Sequence, residues 1–457
     1  MRESAFSLKD LQNASVAVLG FGRAGRAVTD YLLSHGCVPT VYAAGGVPEA
    51  QKGNYPHNGV SFCDKFPEEF AEDVLFRSPG IRPDHAAIRR AVAKGATLTG
   101  EVDWFLSHTR ARVIGVTGSD GKTTTANLIT ALLREAGHRA VLGGNNGDAL
   151  LPHLDTLLAE DFAVVELSSF QLMTAPAPDV AVLTNLTPNH LNWHTDFWEY
   201  AAAKCRILAG CSRFVTDAEC AHSRAVGART RVPVAWCACA PPLPITPKAG
   251  DVFLHTAGDE LVLSDGEKEV RMPAFAAYRL PGAHNRKDLL LAYGAVYPFV
   301  DTGALVRVAQ TFRGVAHRMQ TVGCVSGVTY IDSSIDTSPT RTAATLAALA
   351  CAPIVIAGGR GKGIPLRPLA DALARHAKCV VLYGETAEEI EKELNGRVRS
   401  HRTVEFARAF ALAATLAGAG DTVVLSPGCT AYDQFDNFEK RGECFCHLVE
   451  ALAEERR

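Results

Sequence analysis

Gly115-Val-Thr-Gly-Ser-Asp-Gly-Lys-Thr-Thr-Thr125 follows the apolar run Val113-Ile114 and precedes Ala126-Asn-Leu-Ile-Thr-Ala-Leu-Leu133, whose apolar positions have helical spacing. The order strand, glycine loop, helix is that of a phosphate-binding loop. Glycines let the backbone fold so that several N–H groups face one anion, and the following helix adds the positive end of its dipole. In this reading Gly118, Ser119, Asp120, Gly121 and Thr124 surround the phosphates of ATP, Lys122 meets the β- and γ-phosphates, and the Thr123 hydroxyl holds Mg²⁺. The general pattern G-x-x-x-x-G-K-[ST] wants glycine at 116, where this chain has Val116; the narrower Thr117-Gly118-x-x-Gly121-Lys122-Thr123 is what fits. The alternative is a glycine turn before a helix with a chance lysine, but a strand and a helix stand on either side as the motif requires.

The chain of 457 residues is too long for one core and suits two to four domains. It is 47% hydrophobic and 21% charged, as expected of a globular protein. A formal charge of −3 offers no basic field for nucleic acid. The first ten residues lack a long apolar stretch, so no signal peptide is expected, and no apolar run long enough to span a bilayer occurs. Thirteen scattered cysteines include no Cys-x-x-Cys pair. Reduced thiols in a cytoplasmic protein are therefore expected rather than a zinc site.

Outward from the loop, the chain reads as α/β throughout. Val16-Ala-Val-Leu-Gly20-Phe-Gly22-Arg-Ala-Gly25 is a strand running into G-x-G-x-x-G, a Rossmann-like turn. A dinucleotide site also wants an acid after the next strand, yet Cys37-Val-Pro-Thr-Val-Tyr42 ends in Ala43-Ala44-Gly45-Gly46. A nucleotide or pyrophosphate site is expected there, not NAD. Residues 101–112 read as a polar linker to the phosphate-loop domain. Phe162-Ala-Val-Val-Glu166 ends in an acid where an open sheet places its ligands, and a hard Mg²⁺ wants such an oxygen. His190 lies just past another strand end, and Lys204 on a helix of small residues. The segments 251–255 and 260–264 form a hairpin, expected as a decoration. From about 314 strands and helices alternate again, which predicts a parallel sheet.

Thr117-Gly-Ser-Asp-Gly-Lys-Thr123, Gly143-Gly-Asn145, Glu166-Leu-Ser-Ser-Phe-Gln-Leu172, Asn189-His190, Ala203-Lys204, Gly282-x-His284-Asn285, Phe312-Arg-Gly-x-x-His317-Arg318 and the run Leu425 to Gly442 occur in order. Together they resemble the Mur ligases of peptidoglycan precursor synthesis, and most closely the branch that adds D-glutamate to UDP-N-acetylmuramoyl-L-alanine. The resemblance covers nearly the whole chain.

It implies three domains: a Rossmann-like domain for the UDP-substrate at 1–108, a central ATP-binding domain at 109–313, and a Rossmann-like amino-acid-binding domain at 314–457. It implies that ATP phosphorylates the substrate carboxylate and that the amine of D-glutamate attacks the acyl phosphate. Two Mg²⁺ ions would be served by Thr123, Glu166, His190 and a carbamate formed from CO₂ on Lys204, with Lys122, His190 and Lys204 as the catalytic set. Asp288, Arg318 and Asp332 would contact ATP. Gly20, Phe21, Gly22, Arg23, Ala24, Ser78, Pro79, Gly80 and Asn145 would hold the UDP-substrate. Thr337, Lys362, Thr430 and Phe438 would hold D-glutamate. A monomer working on small molecules, with no nucleic-acid or membrane partner, is the expectation. The chain departs from several relatives in having Ser333-Ser334-Ile335 where Asp-Ser-Lys stands, Ala431 in place of a serine, and Asp288 where Asn is common.

Three other readings compete. A ligase adding another amino acid, or a folate polyglutamate synthase, is disfavoured by Asp433-Gln434-Phe435. A nicotinamide oxidoreductase lacks its ribose acid. A non-catalytic binding protein would not need Lys122, Thr123, Glu166, His190 and Lys204 together.

Overall fold

A computed structural model of the protein describes residues 7–55, 59–145, 148–189, 193–240, 245–280, 282–361 and 363–456. The chain divides into two compact units, 1–312 and 313–457. The first unit holds two sheets and the second holds one.

The smaller sheet of the first unit runs, in spatial order, Ser61–Cys63, Thr40–Tyr42, Val16–Leu19, Val74–Arg77, Thr97–Thr99, and every pair is parallel. Val16–Leu19 is central, so the chain moves first to one side of it and then to the other. That reversal opens a crevice at the carboxyl ends, between the loops after Leu19 and Arg77. The helix Arg23–Ser34 starts there, with Gly22 as its N-cap.

The larger sheet has nine strands: Glu269–Met272, Glu260–Ser264, Val252–Ala257, Val234–Ala238, Arg213–Asp217, Val180–Leu183, Arg112–Thr117, Phe162–Glu166 and Ala140–Gly144. Arg112–Thr117 lies between Phe162–Glu166 and Val180–Leu183, both parallel to it, so its carboxyl end is again a switch point. The phosphate-loop helix Lys122–Glu135 follows at that end and packs Ala126, Leu128, Ile129, Leu132 and Leu133 into the core.

Three expectations are corrected. Residues 101–108 are not a polar linker but a helix, Glu101–His108, in which residues 101–106 are all buried. Trp104, Phe105 and Leu106 join one apolar cluster with Val16 and Val18 of the small sheet and Val113 and Ala163 of the large one. The acids Glu101 and Asp103 gave the segment its polar look. Glu101 Oε1 accepts the backbone N–H groups of Leu150 (2.6 Å) and Leu151 (3.2 Å), which is why a carboxylate can be buried there. The hairpin is not a decoration: Val252–Ala257 pairs in parallel with Val234–Ala238, and two further antiparallel strands extend the main sheet. The third sheet is not wholly parallel either. Its order is Gln320–Val325, Val328–Asp332, Thr422–Gly428, Ile354–Gly358, Cys379–Tyr383, Ser400–Arg402, and the first pair is an antiparallel hairpin turning at Ser326-Gly327.

Among the described residues no helix is long and apolar enough to cross a membrane, and all thirteen cysteines are free.

Candidate active site

The loop after Thr117 is held from the next strand end. Asn185 Oδ1 accepts the N–H groups of Ser119 (3.1 Å) and Asp120 (2.9 Å), and the Thr184 hydroxyl donates to the Asp120 carbonyl. Ser119 Oγ donates to the Thr187 carbonyl (2.7 Å) and lies 2.9 Å from the Tyr200 hydroxyl. Lys122 Nζ reaches back to the Ser119 carbonyl at 2.9 Å, so the ammonium stands over its own loop. Two glycines are required here. A Cβ on Gly118 (φ 149°) would lie 1.9 Å from Thr184 Oγ1, and one on Gly121 (φ 77°) would lie 2.5 Å from Asp288 Oδ1. Asp288 is buried on the helix Ala283–Val296, and Thr125 donates to it at 3.3 Å. Thr123 is buried, Thr124 half-buried, and both occupy the first helical turn.

Lys204 and Glu166 converge beside this loop. Lys204, on the helix Phe197–Cys205, is 2% exposed, and its Nζ lies 3.1 Å from Thr117 Oγ1 and 4.9 Å from the Tyr200 ring centre. Burial pushes its pKa well below the ordinary lysine value; the Lys122 charge adds to this and Glu166 opposes it. Thr117 in turn donates to the Leu167 carbonyl at 2.7 Å. Glu166 is 2% exposed, accepts Asn145 Nδ2 on Oε1 at 2.8 Å, and has a buried Oε2 with no hydrogen-bond partner among the described residues. A sequestered carboxylate oxygen without a donor is suited to a cation. His190 lies outside the described residues.

The expected UDP-substrate residues gather at the crevice of the small sheet. Gly20 (φ 87°) packs so closely that a Cβ would lie 2.7 Å from Ser78 Oγ, and a Cβ on Gly25 would lie 2.0 Å from the Gly20 carbonyl. The Ser78 N–H donates to the Leu19 carbonyl at 2.9 Å, which ties the loop of Ser78, Pro79 and Gly80 to the strand end that leads into Gly22, Arg23 and Ala24. Beside them is a cavity of about 660 Å³ walled by Phe21, Ala43, Val47, Phe66, Ile81 and Arg82. Asn145 stands apart from this group, on Glu166.

In the second unit Asp332 is fully buried at a strand end. Its Oδ2 lies 2.6 Å from His317 Nδ1 and its Oδ1 accepts the Ser334 N–H at 2.8 Å. Both oxygens are engaged, so Asp332 positions the turn that carries Arg318, where His317 (φ 61°) and Met319 (φ 45°) are left-handed. Arg441 is completely buried. It donates to Ser334 Oγ and O (both 2.9 Å), the Tyr383 hydroxyl (3.1 Å) and the Cys429 carbonyl (3.2 Å from Nη1 and Nη2). This ties the loops after three strands together. The Thr430 hydroxyl donates to the Arg360 carbonyl at 2.8 Å, Thr337 lies in the turn before the helix Pro339–Ala348, and the Phe438 ring is 6.4 Å from that of His317. Lys362 lies outside the described residues.

Sequence reasoning missed Thr117 as a partner of Lys204, the clamp of Thr184 and Asn185, and Arg441. Thr184 and Asn185 had one signal: they are the first two polar side chains past the end of the strand Val180–Leu183, which must neighbour the phosphate loop.

Residues 116–296 match the model of the Mur ligase middle domain, and residues 317–429 that of the Mur ligase glutamate ligase domain. The chain is similar to a UDP-N-acetylmuramoylalanine--D-glutamate ligase of Acetivibrio thermocellus, at 35% identity over 97% of this chain and 98% of the relative. An enzyme of the same name from Symbiobacterium thermophilum is 36% identical over 96% and 98%. Among solved structures, a UDP-N-acetylmuramate-alanine ligase from Thermotoga maritima superposes with a TM-score of 0.55 at 16% identity, covering 96% of this chain and 99% of that one. A pseudomurein peptide ligase type C from Methanothermus fervidus gives 0.52 at 17% identity, covering 96% and 100%. These two support the α/β fold alone. Two consecutive domain models and relatives aligned from end to end agree with the loop, acid and lysine just described: the chain belongs to the Mur ligase family.

Proposed function

We propose that the chain is an ATP-dependent amide ligase that joins D-glutamate to UDP-N-acetylmuramoyl-L-alanine in peptidoglycan precursor synthesis. The observation that carries the chemistry is the corner formed by Lys122, Lys204, Thr117 and Glu166 beside the phosphate loop. The end-to-end similarity to D-glutamate ligases supports the choice of substrates.

The substrate carboxylate attacks the γ-phosphorus of ATP, forming an acyl phosphate and releasing ADP. The D-glutamate amine then attacks the acyl carbon; the C–O bond to phosphate breaks, phosphate leaves, and a proton leaves the nitrogen to give the amide. Neither half needs a strong nucleophile from the protein, and both need crowded negative charge neutralised and reactants aligned. Lys122 and the N–H groups of 118 and 121–124 face the phosphates in this reading, while those of Ser119 and Asp120 are held by Asn185. Mg²⁺ would be held by the Thr123 hydroxyl, Glu166 Oε2, His190 and a carbamate on Lys204, and would supply charge neutralisation at the transferring phosphoryl group. The depressed pKa of Lys204 favours the neutral amine, the form that adds CO₂, and supports that assignment. Tyr200 and Thr117 fix the lysine.

The apolar cavity by Gly20 and Phe21 suits a nucleoside, with the diphosphate at the N-terminus of the helix Arg23–Ser34. Thr337, Lys362, Thr430 and Phe438 are assigned to D-glutamate. Within the first unit we place a domain boundary at 108/109, which makes three domains with 313/314. The free cysteines agree with a cytoplasmic enzyme, which we take to be a monomer.

The test is phosphate release with ATP, Mg²⁺ and UDP-N-acetylmuramoyl-L-alanine, offering D-glutamate, L-glutamate and meso-diaminopimelate in parallel. Release with D-glutamate alone is expected; release with another amino acid only, or with none, overturns the assignment.

A further inference from the structure

Two arginines join the parts of the first unit that carry the small and large sheets: Arg77 donates to the Phe170 carbonyl and the Thr174 hydroxyl (both 3.0 Å), and of the two Arg82 alone reaches the helix that carries Lys204. Arg82 lines the 660 Å³ cavity, on the loop that leaves the strand Val74–Arg77. Four hydrogen bonds leave its fork. Nε and Nη2 donate to the Asp84 carboxylate (2.9 and 3.0 Å), Nη2 also to Glu199 Oε1 (2.8 Å), and Nη1 to the Trp193 carbonyl (2.7 Å). The guanidinium also lies 4.7 Å from the centre of the Trp193 ring. Trp193 answers from the other side, its indole N–H donating to the Gly80 carbonyl at 3.2 Å.

The far end of this link is informative. Glu199 is in the first turn of the helix Phe197–Cys205, whose N-cap Asp196 accepts the Glu199 N–H at 2.8 Å. That same helix carries Lys204 to Thr117. The other oxygen of Glu199 faces His194 Nδ1 at 3.4 Å, and His194 Nε2 lies 2.8 Å from Ser169 Oγ, in the run that follows Glu166. One side chain therefore fixes a cavity wall against both segments that deliver Lys204 and Glu166.

We propose that Arg82 is a positioning residue that sets the distance between the nucleotide-binding cavity and the reacting carboxylate. A substrate bound at its uridine end must bring a carboxylate to the phosphate loop at a separation fixed by the protein. Arg82, with Trp193 and Glu199, makes that separation rigid. The inference rests on the reading that the cavity takes the nucleotide end. It also implies selection by length: acceptors whose nucleotide-to-carboxylate span differs by one residue bind through the nucleotide and turn over poorly. Lysine cannot replace the arginine, because the link needs four donors in a planar fork around a stacked ring.

The experiment uses the full chain as wild type, Arg82→Lys, Arg82→Ala and Glu199→Gln. UDP binding is measured by calorimetry, and kcat and KM by phosphate release with ATP, Mg²⁺, D-glutamate and UDP-N-acetylmuramoyl-L-alanine. In both Arg82 variants kcat is expected to fall by about 10- to 100-fold, as a misplacement near 1 Å would cause, and UDP affinity, which loses one wall side chain, by much less. Glu199→Gln, which keeps the acceptor and loses the charge, is expected to fall less. Wild-type kcat in Arg82→Lys overturns the inference, as does a loss of UDP affinity parallel to the loss of kcat, which would make Arg82 a ligand contact or a structural prop. Failure of the wild type to bind UDP overturns the cavity reading itself and the inference with it.

Discussion

Replacing Arg441 with methionine tests whether one buried guanidinium holds the loops of the second unit. The change removes five hydrogen bonds and leaves the carbonyls of Ser334 and Cys429 and the Tyr383 hydroxyl without their donor, in residues exposed by 1% or less. Each buried group orphaned this way costs roughly 1–3 kcal/mol. Relief from desolvating a guanidinium offsets part of that, and the contributions are not additive, so a net loss of about 4 kcal/mol is expected. For a unit of roughly 150 residues this lowers the midpoint of unfolding by about 8–16 °C. The assay can assign the loss to its unit. All four tryptophans, 104, 193, 198 and 236, lie in residues 1–312, so indole emission follows the first unit, whereas calorimetry sees both. The variant should show a calorimetric transition well below the one followed by indole emission, which should stay where it is. A calorimetric shift below about 3 °C would refute the reasoning, because the three acceptors would then have found other donors.

Four further outcomes are expected. Gly121→Ala places a Cβ 2.5 Å from Asp288 Oδ1 at φ 77° and should weaken ATP binding at least about tenfold, measured by calorimetry, and lower the melting temperature by about 2–4 °C per kcal/mol of backbone strain. Gly20→Ala should weaken UDP binding without changing ATP binding, since its Cβ would meet Ser78 Oγ at 2.7 Å; Ser78→Gly in the same chain should restore part of the loss. Glu166→Gln keeps the shape and removes the charge; the Mg²⁺ concentration for half-maximal activity should rise by about tenfold or more, read from activity against Mg²⁺. Burial raises the pKa values of Glu101 and Asp103 to about 6 from ordinary values near 4, against the backbone donors of Leu150 and Leu151 on Glu101 and the Thr174 hydroxyl and Arg77 charge near Asp103. The folded state therefore binds the extra protons between those values, and these groups make stability fall as pH rises from about 4 to 6. In Asp103→Asn that fall is reduced, so denaturant midpoints compared at pH 4 and pH 7 should move in favour of the variant by about 2 kcal/mol.

What could be read from the sequence is what lies close together along it. The phosphate loop, its strand and its helix are contiguous, and the crowding that demands Gly118 and Gly121 leaves its mark in the residues themselves. Glu166 was legible because it ends an apolar strand. Thr117 was not legible as the partner of Lys204, because 87 residues separate them and only the packing of the helix Phe197–Cys205 brings them to 3.1 Å. The helix Glu101–His108 was misread for a related reason: charge in the sequence was taken for exposure, whereas Glu101 is buried with backbone donors from residues 49 and 50 positions away. The hairpin over 252–264 was visible from its turn, but which strand it joins is decided by register with Val234–Ala238, on which the local pattern is silent.

That same hairpin leaves Glu269–Met272 as one of the two edge strands of the nine, the other being Ala140–Gly144, with one row of backbone groups facing away from the sheet. Such a row is a template on which a strand of another chain could grow. Here three of its four residues are exposed, and Arg271 bridges Glu269 (2.7 Å) and Glu260 (3.2 Å) across the outer face. An incoming strand would have to strip water from charges of both signs. This edge of the sheet is thus guarded against seeding aggregation, and replacing Glu269 and Arg271 with valine is the change that would remove the protection.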